Sequence, residues 1–311
     1  MTMNKQKILI SPSSFGKCGT QPLDMIKKNN FDVILNTFGR KLKTDEVINL
    51  GKDCVGIIAG VESLNSIVLE SLPGLKCISR CGSGIDNIDL EKAKELKIVV
   101  KNTPYGPTKA VAELTIGLIY DILRQISARD RAIRNGMWNK EMGNLLADKT
   151  VGILGLGRIG RSVAELLLKL DAKVIGYDIS PDENWLKKTN ISLVPITDMI
   201  KKCDILCIHV SHEPKEKYLI GKNEIATMKK GAFIVNLSRG GVVDENALLD
   251  ALKKNHLKGA AVDVFQHEPY RGPLINLENI VLTPHIGSYA LESRLQMEIE
   301  SVENLLSVLK G

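Results

Sequence analysis

Short apolar runs alternate with longer amphipathic stretches along most of the chain. Residues 8–10, 33–35, 55–59 and 77–79 are such runs, and each predicts a strand. Between them, residues 23–28 and 44–50 carry the mixed pattern of surface helices. Thr44-Asp45-Glu46 predicts a helix start, with Thr44 as the cap and acids in the first turn. Strand and helix in alternation predict a parallel sheet covered on both faces.

The pattern then restarts. Residues 149–154, 158–169 and 173–177 predict strand, helix and strand. Further strands are expected at 205–209, 233–236, 259–262 and 280–282, with helices at 244–254 and 288–309. The helical stretch 108–135 is expected to cross between two α/β units, and the final helix to return to the first. The domains this predicts are 1–103 with 284–311, and 104–283.

Composition narrows the picture. A chain of 311 residues suits two domains, and 44% hydrophobic with 25% charged residues is ordinary for a globular protein. The most apolar helical run, 111–126, contains Glu113, Asp121 and Arg124, so no membrane span is expected. The N-terminus is polar and then only briefly apolar, so no signal peptide is expected. A net charge of +6 with no aromatic-and-basic motif predicts a mildly basic surface that attracts small anions, and no nucleic-acid partner. Cys18, Cys54, Cys77, Cys81, Cys203 and Cys207 show no C-x-x-C and no zinc spacing. They predict reduced thiols, a cytoplasmic protein and no metal.

The candidate chemistry begins at Val151-Gly-Ile-Leu-Gly155-Leu-Gly157-Arg158-Ile159-Gly160, a strand running into G-x-G-x-x-G and then a helix. Gly155 permits a tight turn, Gly157 a close backbone approach to a pyrophosphate, and Gly160 close helix–strand packing. The pyrophosphate is expected over the helix N-terminus. Asp178 ends the next strand at about the 20-residue distance expected of a ribose ligand. Its carboxylate accepts from both ribose hydroxyls and repels a 2′-phosphate, so the expected cofactor is NAD.

Ligands of open α/β sheets gather beyond the carboxyl ends of the strands. Three ionisable residues follow strands there: Arg239 in Asn236-Leu-Ser-Arg-Gly-Gly241, Glu268 in Gln266-His-Glu-Pro269, and His285 in Pro284-His-Ile-Gly287. Removing a hydride from an alcohol needs a base for the hydroxyl proton, and histidine titrates near neutrality. A carboxylate bonded to the imidazole would raise its pKa and orient it, the role expected of Glu268. Arginine offers a planar double donor for a substrate carboxylate, the role expected of Arg239. Each residue alone is ordinary: a loop charge, a turn acid, a structural histidine. Their shared placement at successive strand ends carries the assignment. His267 is set aside, His209 is expected to line the cofactor crevice, and His212 and His256 are expected on the surface.

Arg80-Cys-Gly-Ser-Gly-Ile-Asp-Asn-Ile-Asp89, Val111-Ala-Glu113, Gly155–Gly160 with Asp178, Asn236–Gly240, Asp263–Pro269 and Pro284-His-Ile-Gly287 lie in this order along the chain. In these stretches the chain resembles the D-isomer-specific 2-hydroxy acid dehydrogenase family. The resemblance implies a flavodoxin-like substrate domain built from both chain ends, with a Rossmann domain inserted, and Arg239, Glu268 and His285 as the catalytic set. It implies cofactor contacts at Arg158, Ile159, His209, Val210, Leu237, Ser238, Arg239, Asp263, His285 and Gly287. It implies substrate contacts at Arg80, Ser83, Gly84 and Arg239, and a homodimer built on the Rossmann domains. Residues 56–60 and 102–113 resemble the branch acting on a phosphorylated glycerate, and with Gly311 following Lys310 no C-terminal regulatory extension is expected. The alternatives are reduction of hydroxypyruvate or glyoxylate by the same triad, and a NAD-sensing corepressor-like scaffold.

Overall fold

The structure, a computed structural model, describes residues 5–211 and 218–310. The chain forms two compact units, Met1–Pro107 with Ser288–Gly311, and Thr108–Gly287. The division falls slightly later than the expected 103/104 and 283/284. The first crossing coincides with the start of a helix at Pro107, and the second lies beyond Gly287, whose amide is bonded into the second unit by Asp263.

In the first unit, β1 (Lys7–Ile10), α1 (Gln21–Lys28), β2 (Asp32–Leu35), α2 (Thr44–Gly51), β3 (Cys54–Ala59), α3 (Ser66–Glu70), β4 (Cys77–Arg80), α4 (Leu90–Glu95) and β5 (Val99–Asn102) follow one another. All strand pairs are parallel, in the order β2-β1-β3-β4-β5, which is the flavodoxin-like arrangement. Ile8, Leu9, Ile10, Ile57, Ile58 and Ile78 are fully buried, because side chains on both faces of these strands are covered. Thr44 does not cap α2. Lys43 occupies that position, and the Glu46 carboxylate accepts from the Lys43 amide at 2.7 Å while also gripping Arg40.

In the second unit, α5 (Pro107–Arg124) and α6 (Ile126–Arg134) replace the single helix expected over 108–135. Gln125 breaks it with φ 54°. Asp121 stabilises the break by accepting from the amide and the hydroxyl of Ser127 in the first turn of α6. Then come β6 (Thr150–Leu154), α7 (Arg158–Lys169), β7 (Lys173–Tyr177), α8 (Glu183–Leu186), β8 (Ser192–Leu193), α9 (Ile196–Lys202), β9 (Ile205–Ile208), α10 (Lys222–Thr227), β10 (Ala232–Asn236), α11 (Glu245–Lys253), β11 (Leu257–Val262) and β12 (Ile280–Leu282). The sheet is parallel throughout, in the order β12-β11-β10-β9-β6-β7-β8. Strand order reverses between β6 and β9, the switch point where doubly wound sheets bind ligands.

The last helix, α12 (Leu291–Leu309), belongs to the first unit. It buries Met297, Val302 and Leu305 in the cluster that holds Ile8, Ile10 and Ile58. It starts later than the expected residue 288, because Ala290 is extended, φ −86° and ψ 139°, and takes the cap position before Leu291. Among the described residues no helix is long and apolar enough to cross a membrane.

Candidate active site

The glycine turn stands at the switch point. Gly155 follows β6 with φ 94°, a conformation that excludes most side chains. A Cβ on Gly160 would lie 1.9 Å from the Gly155 carbonyl oxygen, so only glycine lets α7 begin this close to the strand. A Cβ on Gly157 would meet nothing within 4 Å, so its backbone stays uncovered beside Arg158 and Ile159 at the start of α7. Asp178, just past β7, accepts the Leu156 amide at 2.6 Å and the Ser180 amide at 2.8 Å. Its carboxylate therefore braces the turn.

Across the switch point, His209 and Val210 follow β9, and the His209 carbonyl lies against Gly155. Both ring nitrogens of His209 are buried without a hydrogen-bond partner among the described residues. Burial pushes its pKa down to about 4, so the ring is neutral at pH 7. A buried imidazole left unbonded is costly. That orphaned ring, the uncovered turn and the α7 N-terminus together fit a dinucleotide.

The triad stands on the neighbouring strands. After β10, the Asn236 side-chain oxygen accepts from the Ser238 amide at 3.1 Å and hydroxyl at 2.7 Å. This local turn buries Leu237 and Ser238 and projects Arg239, whose Nη1 donates to the Ser238 carbonyl at 2.9 Å. Gly240 lies flat on the segment after β11, since a Cβ there would sit 1.9 Å from the Phe265 carbonyl oxygen. That segment carries Glu268, whose Oε1 accepts from the Phe265 amide at 3.0 Å. Glu268 Oε2 lies 2.9 Å from His285 Nδ1. An ionised carboxylate only accepts, so Nδ1 carries the proton and Nε2 is left for chemistry. Partial burial opposes the charge on Glu268, but the bond to His285, the His285 and Arg239 charges and the Phe265 amide hold its pKa below the usual carboxylate value.

His285 has a left-handed backbone, φ 54°. The cause is Asp263, which is 1% exposed at the end of β11. Its Oδ1 accepts from Thr283 Oγ1 at 2.6 Å and the Ile286 amide at 2.8 Å, and its Oδ2 from the Gly287 amide at 2.9 Å. The carboxylate thus holds the chain on both sides of His285 and turns the imidazole toward Glu268. Thr283 and Gly240 belong to this machinery and were not among the expected residues. Thr283 carries no signal in the sequence, since it acts through a residue distant along the chain, and Gly240 shows there only as part of the glycine-rich stretch 236–241. His267 is exposed and lies outside the pair. His256 is half-buried, with Nε2 2.9 Å from the Ile225 carbonyl, rather than on the surface. The expectation for His212 falls outside the described residues.

In the first unit, Arg80 ends β4 and donates to the Cys81 carbonyl. Gly82 donates to Thr103 Oγ1 at 2.7 Å, and Asn102 donates to the Ser83 carbonyl at 2.7 Å. Among the described residues the amides of Ser83 and Gly84 donate to no backbone carbonyl. These two amides, just past a parallel strand, are left as donors for an acceptor other than a backbone carbonyl.

Residues 116–287, more than half of the chain, match the family model for D-isomer specific 2-hydroxyacid dehydrogenase, NAD binding domain. The chain belongs to this dehydrogenase family. This family member is 36% identical to D-3-phosphoglycerate dehydrogenase of Pongo abelii over 99% of its own length and 57% of that protein's. It therefore spans little more than half of that relative. It is 40% identical to glyoxylate reductase of Thermofilum pendens, covering 80% of this chain and 76% of the relative. The fold matches the TT0316 protein of Thermus thermophilus with a TM-score of 0.90 at 32% identity, over 98% of this chain and 97% of that one. It matches a glyoxylate reductase from Paecilomyes thermophila with a TM-score of 0.87 at 26% identity, over 99% and 96%.

Proposed function

We propose that the chain is an NAD-dependent dehydrogenase that interconverts a small D-2-hydroxy acid and its 2-oxo acid. The observation that carries this reading is the 2.9 Å pair of His285 and Glu268, with Arg239 on the adjoining loop and the glycine turn at the carboxyl end of the same sheet. The nicotinamide, when bound, accepts or supplies the hydride at the substrate's C2. Gly155, Gly157, Arg158, Ile159, Gly160, Asp178, His209 and Val210 hold the dinucleotide, together with Leu237, Ser238, Asp263 and Gly287. In the oxidative direction His285 Nε2 takes the C2 hydroxyl proton as the C2–O bond becomes a carbonyl. Glu268 stabilises the imidazolium that results. Arg239 pairs with the substrate carboxylate and polarises the carbonyl oxygen. The family resemblance assigns the Ser83 and Gly84 amides of the first unit, with Arg80 nearby in sequence, to the substrate carboxylate.

For the substrate we favour 3-phospho-D-glycerate and its oxidation to 3-phosphohydroxypyruvate, a step toward serine, because similarity to such a dehydrogenase runs over 99% of the chain. A second reading, reduction of hydroxypyruvate or glyoxylate, is favoured by the turn after β3. Residues 60–64 carry one buried acid, Glu62, and no cation for a phosphate. A homodimer is supported by the exposed apolar arm after α6, where Met137, Trp138, Met142 and Leu145 are 48%, 78%, 93% and 65% exposed. Six free cysteines support a reducing, cytoplasmic setting. The test is NADH oxidation with 3-phosphohydroxypyruvate, hydroxypyruvate, glyoxylate and 2-oxoglutarate, for the wild type and His285→Ala. The variant is expected to lose turnover by orders of magnitude and still bind NADH. No wild-type turnover with any of the four would favour the nucleotide-sensing scaffold.

A further inference from the structure

Glu62 is one of the few buried acids among the described residues, at 2% exposure, and none of the roles above uses it. It sits just past β3, and β1 and β3 are the strands between which the order of the first sheet reverses. The crevice at such a point receives a ligand in many parallel sheets. Here the protein's own carboxylate lies there. The Gly60 amide is 2.9 Å from Glu62 Oε1 and 3.1 Å from Oε2, and the hydroxyl of Ser11, just past β1, donates to Oε1. A Cβ on Gly60 would meet Oε2 at 2.9 Å, so the residue opposite leaves room for the acid.

The turn that Glu62 pins is itself tied to the segment after β4. Asn87 Nδ2 donates to the Glu62 carbonyl at 2.5 Å and to the Gly60 carbonyl at 3.2 Å. The Leu64 amide donates to the Asn87 carbonyl at 2.8 Å, and the Asp89 amide returns to the Leu64 carbonyl at 3.0 Å. The other end of the segment is held by Thr103 on Gly82 and Asn102 on Ser83. The stretch carrying the free Ser83 and Gly84 amides is therefore stretched between two anchors. One rests on β5 and the other, through Asn87, on Glu62.

We propose that Glu62 is a positioning residue for substrate-carboxylate binding: by pinning the 60–64 turn to Ser11 it fixes, through Asn87, the segment that presents the Ser83 and Gly84 amides. This rests on the assignment of those amides to the substrate carboxylate. The carboxylate keeps its charge throughout hydride transfer, so its donors bind ground state and transition state alike. Disturbing them raises KM and leaves kcat nearly unchanged.

The experiment is steady-state kinetics of the full chain with NADH and the best 2-oxo acid of the panel above. Glu62→Ala is expected to raise the KM for the oxo acid about tenfold or more, with kcat and NADH affinity within about threefold of wild type. Glu62→Gln keeps an acceptor for Gly60 and can donate to Ser11, so it is expected to stay within about threefold of wild type in KM. Asn87→Ala cuts the tie and leaves the acid in place, and is expected to behave like Glu62→Ala. It decides the matter alone if Glu62→Ala does not fold. An acid that serves stability only would lower the melting temperature and leave KM untouched, and an unchanged KM in the soluble variants overturns the proposal. A wild type that reduces no 2-oxo acid overturns the dehydrogenase reading itself, and the role of Glu62 with it.

Discussion

Replacing Asp263 by asparagine keeps the size of a side chain that is 1% exposed and removes its charge. The carboxylate makes three hydrogen bonds, to Thr283, Ile286 and Gly287. Bonds to an ionised acceptor contribute about 1.5–3 kcal/mol each, and neutral ones about 1 kcal/mol. Asparagine retains one acceptor oxygen for Thr283 and Ile286 and turns an amide N–H toward the Gly287 N–H, where two donors oppose. One charged bond is lost and two are weakened, about 3 kcal/mol together. The left-handed turn at His285, φ 54°, costs about 1–2 kcal/mol for a non-glycine residue, and this grip offsets it. Once released, the turn relaxes and His285 moves from Glu268. A displacement of about 1 Å lowers turnover about 100-fold. At about 2–4 °C per kcal/mol for a unit of this size, the melting temperature falls about 6–12 °C. Kinetics and thermal melts of Asp263→Asn read both effects, and the same change in a His285→Ala background is expected to cost no further turnover. A variant within about threefold of wild-type kcat and within about 2 °C in melting would refute the account.

Four further outcomes follow from the geometry and its electrostatics. Gly240→Ala drives a Cβ into the Phe265 carbonyl, so the Arg239 and Glu268 loops must part; about 1–3 kcal/mol of stability and most activity are expected to go, and an active, equally stable variant would contradict the contact. Asp178→Ala is expected to narrow the preference for NAD over NADP and also to lower the melting temperature, since the Leu156 amide loses its acceptor. A wild type that already prefers NADP would show the role of Asp178 to be wrong. His209 is held neutral by burial, with a pKa of about 4, whereas in the unfolded chain it protonates near 6.5. The unfolded state therefore binds more protons between those values, and stability without cofactor is expected to fall by up to about 3 kcal/mol as pH drops from about 6.5 to 4. His209→Leu should flatten that part of a melting-temperature profile, and identical slopes would disprove the burial effect. Glu268, with its lowered pKa, stabilises above the usual carboxylate range, and that contribution is lost only as pH falls through its lower folded value.

The glycine turn and the triad were legible because each stands at the end of a buried apolar run, and strand ends can be found by pattern. What stayed hidden were the links between them. Gly240 and Phe265, or Asp263 and Gly287, meet only after β10, β11 and β12 align, so nothing local marks them. Strand β5 escaped notice because it is an edge strand, Val-Val-Lys-Asn, with no fully buried position to complete an apolar run. At α2 the propensity of Thr44 for a cap lost to Glu46, which satisfies the Lys43 amide from inside the helix while paired with Arg40. The single helix expected over 108–135 failed for a similar reason: Asp121, which looked like an ordinary helix position, supplies a better partner to the start of α6.

The return of α12 to the first unit has a consequence for synthesis. Residues 108–287 carry all seven strands of the second sheet and can condense as soon as they emerge from the ribosome. The first 107 residues emerge earlier yet must wait, because α1, through Ile26, supplies only part of the cover for Ile8, Ile10 and Ile58, and Met297, Val302 and Leu305 arrive at the end of translation. The part made first is thus finished last. During that interval a nascent sheet stands with one greasy side only partly covered, the species a chaperone would recognise and a stop codon placed before α12 would make permanent.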